Sequence, residues 1–211
     1  FDGEASGPDR LARPAADGAA HVHSAVCQHA DFAAEPVGYA LDVLEARGEL
    51  DPAGPEAQQF VLDYLVDVTM HEVGHTLGLR HNFRSSRIYT DDQLSDREFT
   101  AKNGLAGSVM EYAPINLPRP GRSGGTPFQT ALGPYDYWAI EYAYKPMPAG
   151  ATPEQESTEL RKIAARSAEP ALAYGTDEDN FLGIDPESLH FDVGDDPVGF
   201  AAKRIAIARD L

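Results

Sequence analysis

From Glu56 to Leu77 the chain carries apolar side chains at Phe60, Val61, Leu62, Leu65, Val66 and Val73, which together cover most of a helical wheel. Gln59, Asp63 and Asp67 fall four apart and form one polar stripe. The spacing predicts a long, largely buried helix that stops at Gly78. Shorter helical patterns flank it. Val37, Ala40, Leu41 and Leu44 mark a helix over Pro36 to Arg47, closed by Gly48. "LGPYDYWAIEYAYKP" reads as a helix entered at Pro134 and stopped before Pro146, with Asp136 and Glu141 on its outer face. Pro153 to Ser167 is amphipathic, and Asp196 with Pro197 caps a last helix. Between these lie "DPAGPE", a turn; Arg84 to Gly107, irregular with at most one short helix; the Pro- and Gly-rich Ala113 to Pro127; and an acidic loop from Tyr174 to Pro197. Phe1 to Gly18 reads as loop. Strand signals are few, and no internal repeat is present.

Charge narrows the partners. The chain has 211 residues and a formal net charge of −17, against the basic surface that phosphate binding needs, so no nucleic-acid partner is expected. The acidity is uneven, because Arg80 to Arg122 holds seven Lys/Arg and five Asp/Glu. Only Cys27 is present, which precludes a disulfide within the chain. No apolar run reaches the length of a membrane span. Phe1 opens without Met or a signal-like stretch, and the end stops on a helical pattern. The sequence therefore reads as part of a longer polypeptide, with any export signal upstream.

The densest chemistry lies in "TMHEVGHTLGLRHNF", Thr69 to Phe83. His71 and His75 are four apart, so on a helix both imidazoles leave from one face. Glu72 lies about 100° round the helix, too far to ligate the same ion but within reach of a water beside it. Gly78 permits a left-handed exit, and the turn brings His81 back toward the first two. Three neutral imidazoles leaving one position open are the ligand set of a catalytic zinc. Zinc lowers the pKa of water to about 7 and polarises a carbonyl, and Glu72 is placed to act as general base.

"HEVGHTLGLRH" resembles the HExxHxxGxxH signature of the metzincin clan of zinc metalloproteases. "GSVMEYAP" is similar to the Met turn of its astacin and serralysin branches, with Met110 standing 29 positions after His81. The resemblance implies that Met110 forms an apolar floor under the histidines. It also implies that Tyr112, two residues on, ligates the zinc or stabilises an oxyanion. "LGPYDYWAIEYAYKP" and "DDPVGFAAKRIAIARDL" look like large bacterial zinc-dependent metalloproteases of this type, usually exported, with uncharacterised flanking domains. The likeness runs from Pro36 to Leu211.

It implies an α+β fold, predominantly α here. A metzincin-like catalytic core would span 1–145, its N-terminal part incomplete, and a C-terminal helical extension 146–211. The implied activity is zinc-dependent hydrolysis of peptide bonds in a peptide or protein substrate. His71, His75 and His81 would hold the metal, with Glu72 and Tyr112 as catalytic residues and Arg80 and Arg84 as candidate substrate contacts. Two readings compete: a non-catalytic, zinc-stabilised binding module, and a hydrolase of a non-peptide amide. The sequence gives no oligomeric state. It departs from the clan at Asn82, where astacins carry Glu, adamalysins Asp and serralysins Pro. It also reads as loop and helix upstream of Glu56, where the clan has a sheet. His21, His23, Cys27 and His29 carry zinc-ligand atom types at a spacing that matches no known pattern. "TDEDNFLGIDP" and "DVGDDP" offer oxygens of the kind calcium takes, without EF-hand spacing.

Overall fold

The computed structural model describes residues 29–209, with side chains from residue 36. Eight α-helices carry the described chain: α1 (His29–Ala46), α2 (Pro55–Thr76), α3 (Asp91–Ser95), α4 (Arg97–Asn103), α5 (Pro134–Tyr144), α6 (Pro153–Ala164), α7 (Asp177–Phe181) and α8 (Pro197–Ala208). Short 3-10 turns lie at Ser85–Ile88, Ala165–Ala168 and Pro170–Leu172. No strand occurs among the described residues, so the predominance of helix is as expected. The stretch read as irregular between Arg84 and Gly107 holds three short helical pieces instead of one at most. Two of them, α3 and α4, follow each other without a break because Thr90 and then Asp96 cap their first turns.

The main core joins Ala40 and Val43 of α1, Phe60 of α2, Ile115, Leu117 and Phe128 of the central segment, and Ile207 of α8. Phe60 meets Phe128 edge-on at 4.8 Å between ring centroids. The centre of the molecule is irregular: residues 104–112 are buried without forming a helix or strand. Such a path is tolerable only if its backbone groups find partners. The Gln129 side chain accepts from the amides of Leu105 and Ala106, and Gly107 donates to Ser85 O at 2.8 Å and accepts from Tyr135 N at 3.0 Å. A side chain at Gly133 would overlap the Gly107 carbonyl, so this crossing requires glycine.

Helix α2 is not largely buried. Phe60, Asp67, His71 and Gly74 face inward, whereas Val61, Leu62, Leu65, Val66, Val73 and Leu77 are all exposed among the described residues. Apolar side chains on nearly every side left the pattern without a direction, and the inward face proved to be the one carrying polar chemistry. Asp67, expected on a polar outer stripe, is buried and accepts from Gln129 N at 3.3 Å. Burial pushes its carboxyl up to about 7. On α5, Tyr135 is buried but Tyr137, Tyr142 and Tyr144 are exposed, so only the start of this aromatic helix packs into the interior. The expected Asp196 cap is present, with Asp196 accepting from the amides of Val198 and Gly199.

Candidate metal centre

Helix α2 presents His71 and His75 one turn apart, and its end is built to return the third histidine. Gly78 sits at φ +86°, and the amides of Gly78 and Leu79 donate to His75 O and Gly74 O at 2.9 and 3.1 Å. This is a Schellman closure, which needs a left-handed residue at its turn. It also delivers the Leu79 carbonyl to His75, whose Nδ1 lies 3.0 Å from it. Five residues after helix α2 ends, His81 faces both partners. The three rings have centroid separations of 4.8, 5.3 and 4.8 Å, and one nitrogen from each lies within 4.8 Å of the others.

The tautomers follow from the neighbours. His71 Nδ1 lies 2.8 Å from Val109 O, and His81 Nδ1 lies 2.7 Å from a carboxylate oxygen of Asp177. Carbonyl and carboxylate oxygens only accept, so each Nδ1 carries the proton and each Nε2 turns a lone pair inward. His75 Nε2 and His81 Nε2 stand 3.1 Å apart. Two lone pairs repel at that distance unless a cation lies between them. Nitrogens sharing one tetrahedral zinc stand roughly 3.3 Å apart, given Zn–N of about 2.0–2.1 Å. The donor set and its convergence therefore fit a zinc ion.

Beneath the histidines, the turn Ser108–Glu111 carries the fully buried Met110. A Cβ on Gly74, which stands between the two helix histidines, would overlap the Met110 sulfur, so the thioether packs directly against the α2 backbone. Asp136 fixes this turn. Its carboxylate accepts from Ser108 Oγ at 2.6 Å, from Val109 N at 3.0 Å and from Gly133 N at 2.8 Å. Asp136 thus anchors Val109, the residue whose carbonyl orients His71. It was expected on the outer face of α5 and is instead buried, its carboxyl pushed up by burial against the pull of those three donors. The Gly-Pro-x-Asp order at the head of α5 was the available signal: an acid at the third helical position reaches back to the N-cap amide.

Asp177 was missed as a site residue. It belongs to the acidic stretch considered for calcium, and the partners of that stretch are this chain's own groups. Asp177 takes His81, Glu178 takes Arg80 at 2.6 Å, Asp179 caps Thr176 N, and Arg84 pairs with Asp185 and Glu187. Burial raises the Asp177 carboxyl, but bonding to His81 and the neighbouring charges outweigh it and leave it below the usual range. Arg80 and Arg84, proposed as substrate contacts, are engaged in these ion pairs. Asn82 explains its own departure from the clan. Its side chain donates to Ala173 O at 3.0 Å and accepts from Gly175 N at 3.2 Å, while Phe83 N donates to Gly175 O at 2.7 Å. The residue after the third histidine thereby clamps the strand of chain that leads into Asp177.

Glu72 is half-buried, and no hydrogen bond or ion pair engages its carboxylate among the described residues. Tyr112 is buried, its ring 5.3 Å from that of His71 and 4.8 Å from that of His81. The cluster His21, His23, Cys27 and His29 lies outside the residues whose side chains are described. No described helix is long and apolar enough to cross a membrane. Neither the curated proteins nor the solved structures contain a match to this chain. The family model described as Met-zincin matches residues 53–211, which hold the three histidines, Glu72, Met110, Tyr112, Asp136 and Asp177. The chain belongs to the Met-zincin family.

Proposed function

We propose that this protein is a zinc-dependent endopeptidase, and that His71, His75 and His81 hold its metal. One observation carries the reading: three Nε2 atoms converge while each Nδ1 is tied to its own acceptor. A zinc ion held there supplies Lewis acidity, polarising a carbonyl and bringing the pKa of water down to about 7. Glu72 takes the proton from the attacking water and passes it to the leaving amine. The absence of a competing partner leaves its carboxylate available for both transfers. Tyr112, against two of the histidines, places its hydroxyl for the oxyanion. The Ser108–Glu111 turn acts as the Met turn, with Met110 as the apolar floor. A zinc site serving only stability gives Glu72 no role. The same proposal covers the α+β core, a division at about residue 145 with a helical extension that completes the site through Asp177, peptide or protein substrates, and an exported location.

The test pairs metal analysis with one substitution. The full chain should carry one zinc, and Glu72→Gln should keep it while cleavage of a peptide library falls about 10²–10⁴-fold. Undiminished turnover in Glu72→Gln would remove it as the base, and a metal-free chain from chelator-free purification would remove the zinc centre.

A further inference from the structure

Beside the Tyr112 backbone lies a second group of oxygens that the zinc centre does not use. Glu111 is 2 % exposed and Asp192 7 %, and Ser86 is fully buried beside them. Glu111 is well supplied: it accepts from Ser85 Oγ at 3.2 Å, Ser86 N at 3.1 Å and Tyr112 N at 3.1 Å. Asp192 is not. Both of its carboxylate oxygens are buried without a hydrogen-bond partner, and so is Ser86 Oγ, among the described residues. Asp192 lies close enough for its charge, after burial itself, to push the Glu111 carboxyl well above the usual range. The Ser86 hydroxyl is near enough to bond weakly to Asp192, and the Arg87 charge also favours its ionised form. Arg87 forms no ion pair with it; the guanidinium donates instead to Asp195 O at 3.4 Å.

Two buried carboxylates with no ion-paired cation are strongly unfavourable, so something must answer them. A shared proton could join Glu111 to one oxygen of Asp192. It would leave the other oxygen with only the poorly aligned Ser86 hydroxyl. A cation accepts all of them, because a hard ion gathers six to eight oxygens at about 2.3–2.6 Å and bridges atoms too far apart for a hydrogen bond. The donors are oxygen alone, which disfavours zinc and favours calcium. Magnesium demands a small, regular octahedron and gives up its waters reluctantly.

We infer that Glu111, Asp192 and Ser86 form a second metal site, for a calcium-class divalent cation, which ties the C-terminal part of the chain to the segment carrying Tyr112. The inference stands apart from the zinc reading, since no residue is shared. The chain is arranged to present Asp192 here: Phe191 N donates to Tyr112 O at 2.9 Å, and Phe191 holds φ +62°, a conformation rare for a bulky residue. Calcium would therefore stiffen the wall of the zinc centre without touching the zinc.

Equilibrium dialysis of the full chain against calcium, with zinc kept saturating, should give one calcium per chain. Asp192→Asn should lose it while retaining zinc. Calcium should also raise the melting temperature of the parent chain and not of Asp192→Asn. No bound calcium, with a protonated-carboxyl infrared band that disappears in Asp192→Asn, would establish a shared proton and overturn the site. Equal calcium binding in both proteins would place the ion elsewhere and overturn it too. Should Asp192→Asn fail to fold, Ser86→Ala removes one neutral ligand, and calcium affinity should fall several-fold; an unchanged affinity would overturn the proposal.

Discussion

His71 and His81 face the same point in space but are held in opposite ways. His71 is fully buried and leans on a backbone carbonyl, that of Val109, which Asp136 fixes from beneath. Every member of that chain of contacts belongs to the core. His81 leans on a carboxylate, Asp177, set on a helix of five residues and bridged in turn by Arg80. A carbonyl orients a ring, whereas a carboxylate orients it and raises its basicity. One ligand is therefore secured by packing and the other by electrostatics. The first should fail only with the fold, and the second should be tunable while the fold persists.

The largest effect should come from Asp136→Ala. It strands the Ser108 hydroxyl and the amides of Val109 and Gly133 in a buried site. At about 1–3 kcal/mol for each unsatisfied group, chemical denaturation should show a loss of at least about 3 kcal/mol, accompanied by weaker zinc binding. Asp177→Asn should instead spare stability and lower zinc affinity about 10–100-fold, as read by competition with a chelator. If both variants lose stability and affinity in proportion, the contrast between the two ligands is wrong.

Asp67 sharpens the same contrast through pH. Folding raises its carboxyl from 3.8 to about 7. Across that window the folded state keeps a proton that the unfolded chain has released, so stability falls as pH rises. Denaturation at several pH values should show a slope of up to about 1.4 kcal/mol per pH unit from this group, and Asp67→Asn should remove it. Smallest should be Arg84→Ala. It breaks partly exposed pairs with Asp185 and Glu187, and should cost less than about 1 kcal/mol.

The legible part of this protein was what local spacing dictates. The i, i+4 histidines and the glycine that turns the chain act over short separations, and they stand where the pattern placed them. Helix starts at Pro134, Pro153 and Pro197 were readable for the same reason. The rest depended on distant contacts. His81 and Asp177 are 96 positions apart, and Asn82 reaches Ala173 over 91. Nothing near Asp177 distinguishes it from the other acids of its loop. The exposed apolar side of α2 was equally hidden, because periodicity cannot choose a face when nearly all faces are apolar.

That long separation between His81 and Asp177 also sets a clock. At a synthesis rate of about 5–20 residues per second, the ribosome adds the residues from His81 to Asp177 over roughly 5–20 s. During that interval the three histidines exist, but the carboxylate that strengthens the third does not. A nascent chain thus passes through a stage in which the third histidine lacks the partner that orients it. Synthesis order itself decides when the third ring reaches its full basicity.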